Sequence, residues 1–385
     1  KSSEGVYSMQ GAATCVDNST GNVVAIVGSR SQEDIKGYVL NRAYQSYRQP
    51  GSCIKPLNVY TPYLQLGNTP DTKVTDSQID GGPANADASY AGEMTLTDAV
   101  KWSKNTVAWN IYQQITPKTG SSFLIKMGFH KIWVDKDYNA GALGGFTYGV
   151  TTEEMAGGYA ALANDGVYRK ATCIRLIVDA SNKTVVNETN RDSKVYDKSA
   201  SRMMTQMLRE VVLSGTGTSA NVENAVVAGK TGTTNASKDV WFCGYSKYYT
   251  TTVWAGYDYP KEMSGVNSRV NAIFKDFMTA VHTNLPVTDF STVTQQTTQP
   301  ETTAAVQEET ESLPQETTAI VPETTGIEQV TPQQVPSTTA QVPTTTPYQR
   351  WTTAPAQPKT TAPMQYGDID ATTRTDPDAT ARGEW

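Results

Sequence analysis

The stretch Arg48-Gln49-Pro50-Gly51-Ser52-Cys53-Ile54-Lys55-Pro56 decides how the rest of the chain is read. Pro50 and Gly51 mark a turn, and from Ser52 to Leu66 the apolar residues recur at helical spacing. Residues three apart on a helix share a face, so Lys55 can bring its amine to the Ser52 hydroxyl. A free serine hydroxyl is a poor nucleophile and needs a base. A lysine serves only if its amine is neutral, and burial and a neighbouring cation both favour that state. Alone, the pattern also describes a solvated lysine one turn after an N-terminal serine.

Two further motifs follow in order. Ser103-Lys104-Asn105 begins 51 residues after Ser52, and Lys230-Thr231-Gly232-Thr233-Thr234 begins 127 residues after Ser103. The plain reading of the first is a capping serine in a polar loop. The chemical reading makes Ser103 a proton shuttle between Lys55 and a leaving nitrogen, with the Asn105 amide offered to a substrate backbone. The plain reading of the second is a strand ending in a Thr/Gly turn after Ala225-Val226-Val227-Ala228. In the chemical reading Gly232 leaves an edge on which a peptide backbone can pair. Lys230 and the hydroxyls of Thr231 and Thr233 suit a carboxylate, and Lys230 is the cation that depresses Lys55. The backbone N–H groups of Thr233 and Ser52 would form an oxyanion hole.

Composition narrows the alternatives. The chain has 385 residues and a net charge of −6. Residues 283–385 hold four Lys and Arg against thirteen Asp and Glu, so the first 282 residues carry 28 against 25. The acidity belongs to the tail, and the near-neutral body has no basic stripe for nucleic acid. His130 and His282 are the only histidines, and neither lies near a nucleophile-elbow serine, which argues against a Ser-His-Asp triad. No Cys/His spacing suggests zinc. Cys15, Cys53, Cys173 and Cys243 read as buried or free thiols, with a disulfide at Cys173 left open for an exported protein. The chain begins at Lys1 with no signal peptide and no bilayer-spanning apolar run, so it reads as part of something longer.

The periodicities give an α+β domain over residues 1–282. Gln10–Asp17 and Asn22–Gly28 form a hairpin about Asn18-Ser19-Thr20-Gly21. Met94–Ile115 reads as two helices meeting at Ser103-Lys104-Asn105. Glu153–Asn164 is a small-residue helix for a close-packed position, and Lys198–Leu213 is another helix. Val226–Gly232, Asp239–Tyr245 and Thr250–Tyr257 are strands, so the sheet is assembled from both ends of the domain. Residues 283–385 are a Thr/Pro/Gln/Glu-rich low-complexity tail, expected to be disordered.

With these motifs the chain resembles the transpeptidase (penicillin-binding) domain of class A bifunctional penicillin-binding proteins. The resemblance runs over about residues 8–260. It includes Asn41-Arg42-Ala43 and Arg48-Gln49-Pro50-Gly51 before Ser52, and Tyr90-Ala91-Gly92-Glu93-Met94-Thr95-Leu96 before Ser103. It also includes Gly215-Thr216-Gly217 before the Lys230 motif and Asp239-Val240-Trp241-Phe242 after it. Cys53 and Ile54 stand where the family often has a small polar and an aromatic residue.

The resemblance implies a serine β-lactamase/D,D-transpeptidase-like fold, an antiparallel five-stranded sheet flanked by helices, with an all-helical subdomain. It implies a D,D-transpeptidase with Ser52, Lys55 and Ser103 catalytic. Asn105, Lys230, Thr231, Gly232 and Thr233 would bind substrate. Partners would be peptidoglycan stem peptides, as D-Ala-D-Ala donor and amine acceptor, and β-lactam inhibitors. Neither metal nor organic cofactor is implied. The site of action would be the extracytoplasmic face of a bacterial membrane, reached through an anchor upstream of these residues. The family's upstream glycosyltransferase domain is not among them. The nearest rivals are a D,D-carboxypeptidase and a β-lactamase, for which Glu153 and Glu154 lie in a plausible stretch. A rival of another class is a non-catalytic wall-associated binding module.

Overall fold

The computed structural model describes residues 7–30, 39–133, 139–187 and 192–292. Its strands are β1 (Met9–Asp17), β2 (Val23–Val27), β3 (Lys73–Asp76), β4 (Gly92–Thr95), β5 (Val167–Tyr168), β6 (Leu176–Val178), β7 (Thr184–Asn187), β8 (Ser193–Lys194), β9 (Ala228–Thr233), β10 (Asp239–Tyr245) and β11 (Tyr249–Tyr257). Its α-helices are α1 (Arg42–Gln45), α2 (Thr61–Leu64), α3 (Leu96–Lys101), α4 (Asn105–Ile115), α5 (Pro117–Lys126), α6 (Thr152–Ala163), α7 (Lys198–Ser214) and α8 (Asn267–Val281).

The central sheet has five antiparallel strands in the order β2-β1-β11-β10-β9. The front hairpin supplies two strands and the back of the domain three, as the pattern along the chain requires. β1 runs the full length of β11, from Met9 opposite Tyr257 to Asp17 opposite Tyr249. Among the described residues β9, which carries Lys230, Thr231 and Gly232, pairs only with β10 and forms one edge.

β10 is buried along its whole length because both faces of the sheet are covered. Its side chains alternate between two cores with the period of two expected of a strand. Trp241, Cys243 and Tyr245 join Trp254 and the helices of the larger core, including Leu57, Tyr159, Met204 and Leu208. Val240 and Phe242 join Val253 and Ala255 in a second core roofed by Val270, Phe274 and Met278 of α8. Burying a side chain of this size contributes about 1.5–3 kcal/mol. In α7, Ala200, Met204, Met207, Leu208 and Val211 recur at three- and four-residue steps, which turns one face to the larger core. All of α6 except Glu153 and Glu154 is buried, which suits its run of Ala and Gly.

Two local readings change. Met94 lies in β4 rather than a helix. Thr95 then caps α3, its Oγ1 accepting the Asp98 N–H at 3.1 Å. The segment after Gly51 is not a uniform α-helix. It opens as a 3-10 turn, Gly51–Ile54, passes through a π turn, Pro56–Tyr60, and becomes α-helical only in α2. Pro56 has no N–H to offer the Ser52 carbonyl, so the Lys55 N–H takes that carbonyl instead.

Residues 283–292, assigned to the tail by composition, run along the domain. The Phe290 ring meets Tyr245 edge-on at 5.5 Å, and Asp289 pairs with Arg209 at 2.7 Å. The rest of the expected tail, residues 293–385, lies outside the described residues.

Candidate active site

The Ser52 segment is fastened to the sheet before it reaches Ser52. Arg48 exchanges both backbone hydrogen bonds with Val150 at 2.8 Å, and its Nε holds Asp239 of β10 at 2.8 Å. The Gln49 amide pairs with the backbone of Phe146, and the Gln49 carbonyl accepts Trp241 Nε1 at 2.8 Å. Gly51 has a φ of +52°, and a Cβ there would stand 2.8 Å from the Thr233 carbonyl oxygen. A Cβ on Gly232 would stand 2.8 Å from Cys53 Sγ. The segment therefore rests against the edge strand with no room for side chains between them.

In a 3-10 turn residues i and i+3 eclipse, which stacks Lys55 directly over Ser52. Buried hydroxyls bond the carbonyls of this irregular segment. Tyr159 donates to Cys53 O at 2.6 Å, Thr61 to Pro56 O at 2.6 Å and Tyr196 to Leu57 O at 2.5 Å. Ser52 itself is half-buried, and its hydroxyl makes no hydrogen bond among the described residues.

Lys55 is fully buried. Its Nζ donates to the Ser103 carbonyl at 2.9 Å and to Asn105 Oδ1 at 2.8 Å, with the Lys104 carbonyl at 3.4 Å. Burial first, and the charge of Lys230 second, hold its amine well below the ordinary lysine value. Lys230 is also fully buried and lies across the same turn, its Nζ 2.8 Å from Ser103 Oγ and 3.2 Å from the Thr231 carbonyl. Burial lowers it to about 8, against an upward pull from Cys53 and Cys243.

Ser103 is the meeting point of the two lysines. Its φ of +59° is rare for a residue with a side chain. That conformation turns its carbonyl to Lys55 and its hydroxyl to Lys230. Such strain persists only where the surroundings enforce it.

The remaining expected residues are distributed as follows. Thr231 Oγ1 shares a hydrogen bond of 2.8 Å with Thr216 Oγ1. Thr233 is exposed and donates to Asn267 Oδ1 at 3.3 Å. Asn105 gives its amide hydrogens to the Ala84 carbonyl at 2.9 Å while its oxygen holds Lys55. Lys230, expected to face a carboxylate, is bonded to Ser103 and Thr231. Cys53 is buried beside the site, its Sγ 3.1 Å from the Lys230 carbonyl. Burial, then contact with Cys53, pushes the Cys243 thiol well up. All four cysteines are free thiols, three buried and Cys173 exposed. His282 is buried between Met278 O and Ser246 Oγ, and His130 is exposed on Glu154, so each histidine has its bonds elsewhere.

Residues not singled out from the sequence also build the site. Asp76, Asn85 and Asp87 surround the Ser103–Asn105 turn, and Asn267 meets Thr233. Asp76, Asn85 and Asp87 sit in or beside a polar loop whose spacing carries no signal. Thr216 was legible only as part of Gly215-Thr216-Gly217.

A family model described as the penicillin binding protein transpeptidase domain matches residues 11–279. Penicillin-binding protein 4 of Bacillus subtilis (strain 168) is 34% identical over 265 residues, covering 68% of this chain and 42% of that protein. The chain spans less than half the length of the curated relatives it matches. Among solved structures, penicillin-binding protein 1A from Haemophilus influenzae aligns with a TM-score of 0.61 at 25% identity, over 74% of this chain and 49% of that one. The PonA1 protein from Mycobacterium tuberculosis, solved in complex with penicillin V, aligns with a TM-score of 0.61 at 22% identity. That alignment covers 74% of this chain and 81% of that one, and at this identity it shows the fold.

Proposed function

The chain belongs to the penicillin-binding protein transpeptidase domain family, and on that premise we propose that it is a serine D,D-transpeptidase that cross-links peptidoglycan stem peptides. Ser52 Oγ attacks the carbonyl carbon of a D-Ala-D-Ala peptide bond. Neutral Lys55 takes the hydroxyl proton, and Ser103 passes a proton to the departing nitrogen, which leaves as D-Ala. The amine of a second stem peptide then displaces Ser52 from the acyl-enzyme, and the proton returns by the same route. The N–H groups of Ser52 and Thr233 hold the oxyanion. The donor backbone pairs with the free edge of β9 at Gly232. Its carboxylate meets Lys230 and the hydroxyls of Thr231 and Thr233, joined by Thr216. β-Lactams acylate Ser52 as substrate mimics.

The observation that carries this reading is the state of Lys55. A buried lysine with its amine held well below the ordinary value, one 3-10 turn from a serine with an unengaged hydroxyl, is equipped to be a base. Ser103 is held between the two lysines, its carbonyl by Lys55 and its hydroxyl by Lys230, which places the hydroxyl beside the site. Glu154, one of two glutamates that a hydrolytic enzyme could recruit, is spent in the capping box of α6 and on His130. This favours transfer to an amine over transfer to water.

Residues 1–282 with the packed segment 283–292 form the proposed catalytic domain, and the residues beyond form a polar tail. The substrate puts the site of action on the extracytoplasmic face of the membrane. Among the described residues no helix is long and apolar enough to cross it.

Labelling with a fluorescent penicillin, followed by peptide mapping, tests the reading. The parent chain is expected to carry one covalent label at Ser52, and the Ser52→Ala chain none. Equal labelling of both would overturn the nucleophile assignment. Turnover of a stem peptide with and without an amine acceptor separates transfer from hydrolysis. Hydrolysis alone under all acceptor conditions would leave the carboxypeptidase reading.

A further inference from the structure

The Ser103–Asn105 turn is gripped from the side opposite the two lysines by the loop that joins β3 to β4. Helix α4 begins at Asn105, and its capping position, Lys104, makes no side-chain cap. The first N–H groups of a helix need an acceptor from somewhere. Asn85, only 5% exposed, supplies it from a distant part of the chain. Its Oδ1 accepts the N–H of Asn105 at 2.7 Å and of Thr106 at 3.3 Å. Its Nδ2 donates to Asp76 Oδ1 at 2.6 Å and to the Ser89 carbonyl at 2.8 Å.

Asp76 is fully buried and closes the network. It accepts Thr106 Oγ1 at 2.5 Å and the Ala91 N–H at 2.9 Å, and pairs with Lys104 Nζ at 3.2 Å. Burial raises its carboxyl, but the bonds from Thr106, Ala91, Asn85 and Lys104 together outweigh it and keep it ionised. Lys104 also holds Asp87 at 3.0 Å and the Ser89 hydroxyl at 3.1 Å.

We propose that Asn85 is a positioning residue for proton transfer: by capping α4 from outside it sets Ser103 and Asn105 against Lys55, with Asp76 orienting its amide. The inference rests on the reading of Ser52 and Lys55 given above. The same short turn presents N–H groups to Asn85 on one side and the Ser103 carbonyl and Asn105 Oδ1 to Lys55 on the other. Asn85 is therefore one residue removed from the base. The left-handed Ser103 has no glycine-like freedom to hold that conformation unaided. Loss of the cap lets the turn relax, and a displacement of about 1 Å at a reacting group costs about 100-fold in rate.

The amide also predicts its own rescue. In Asn85→Asp the oxygen facing the α4 N–H groups is kept, but the donor facing Asp76 is lost. Two carboxylates sharing one buried site cannot both ionise, so the pair takes up a proton as the pH falls. The protonated Asp side chain then donates to Asp76 as the amide did.

The test measures the second-order rate of penicillin acylation against pH for the full chain, Asn85→Ala and Asn85→Asp, with thermal unfolding alongside. Asn85→Ala is expected to acylate about 100-fold more slowly than the parent while folded. The rate of Asn85→Asp relative to the parent at the same pH is expected to rise as the pH is lowered from about 8 to about 5.5, the window set by a carboxyl raised by its neighbour. A folded Asn85→Ala protein that acylates at the parent rate overturns the proposal. So does an Asn85→Asp ratio that does not change with pH, which decides the matter if Asn85→Ala fails to fold. In either case the parent still labels at Ser52. A parent that does not label there overturns the underlying reading, and this proposal falls with it.

Discussion

The two faces of the central sheet are built on different physics. On the side roofed by α8, Val240, Phe242, Val253, Val270, Phe274 and Met278 pack without a charge among them. On the opposite side the apolar core closes around Lys55 and Lys230, both fully buried, with buried Lys104 and Asp76 one layer further out. The first face is a source of stability. The second accepts the cost of desolvating two lysine amines and offsets it with the hydrogen bonds they donate to Ser103, Asn105 and Thr231. Groups with displaced proton affinities concentrate where chemistry needs them, and here the two buried lysines share one face.

That contrast can be broken by substitution. The largest effect on activity is expected at Ser52→Ala, which removes the attacking atom and should leave no covalent penicillin label with the unfolding midpoint unchanged. Next is Lys55→Met, with a loss of about 10²–10⁴-fold in acylation rate, the usual worth of a positioned base. The Ser103 carbonyl and Asn105 Oδ1 lose a donor while the apolar side chain keeps the packing, so the cost in stability should stay below about 3 kcal/mol. A Lys55→Met protein that loses about 3 kcal/mol or more in denaturant unfolding would instead make Lys55 a structural residue.

Phe274→Ala on the α8 face should reverse the pattern. The expected cost is about 3–5 kcal/mol of stability from the cavity under α8. The acylation rate of the protein that remains folded should match the parent. A large loss of rate in folded Phe274→Ala protein would show that the two faces are coupled.

The smallest effect is a change of pH dependence. Lys230 titrates at about 8 in the folded protein, against 10.5 ordinarily. Between those values the unfolded chain binds the extra proton, so the folded state gains stability as the pH rises through that window. Below about 8 both states hold the proton, and the native protein bears the full cost of the buried charge. The stability difference between the parent and Lys230→Met should therefore shift in the parent's favour from about pH 8 to about pH 10. Over the same rise the parent's affinity for a carboxylate-bearing β-lactam should fall as Lys230 loses its charge. A stability difference that is flat across the window would place the Lys230 titration elsewhere.

Much of this was legible in the sequence because local chemistry and global fold agree there. The hairpin of β1 and β2, the strands β9 to β11 and the helices around Ser103 follow from period and turn residues alone. The order of the three motifs named the residues that converge on Ser103. What could not be read is what depends on a single distant contact. Pro56 converts the expected α-helix into 3-10 and π turns, and Tyr159 and Tyr196 reach in from elsewhere to bond their carbonyls. Asn85 sits in a loop with no periodicity, and nothing local indicates that it caps a helix beginning twenty residues later. Residues 283–292 have the composition of a tail, yet Phe290 and Asp289 find partners on β10 and α7.

The central claim is that Lys55 is neutral at the working pH and takes the Ser52 proton. The pH profile of penicillin acylation, measured on the full chain from about pH 5 to pH 10, tests it most directly. With Lys55 held well below its ordinary value the rate should fall on the acid side, gain little from neutrality to about pH 8, and decline above that as Lys230 loses the charge that meets the penicillin carboxylate. A rate that instead climbs about tenfold per pH unit through neutrality toward pH 10, as a lysine at its ordinary 10.5 would require, would contradict it.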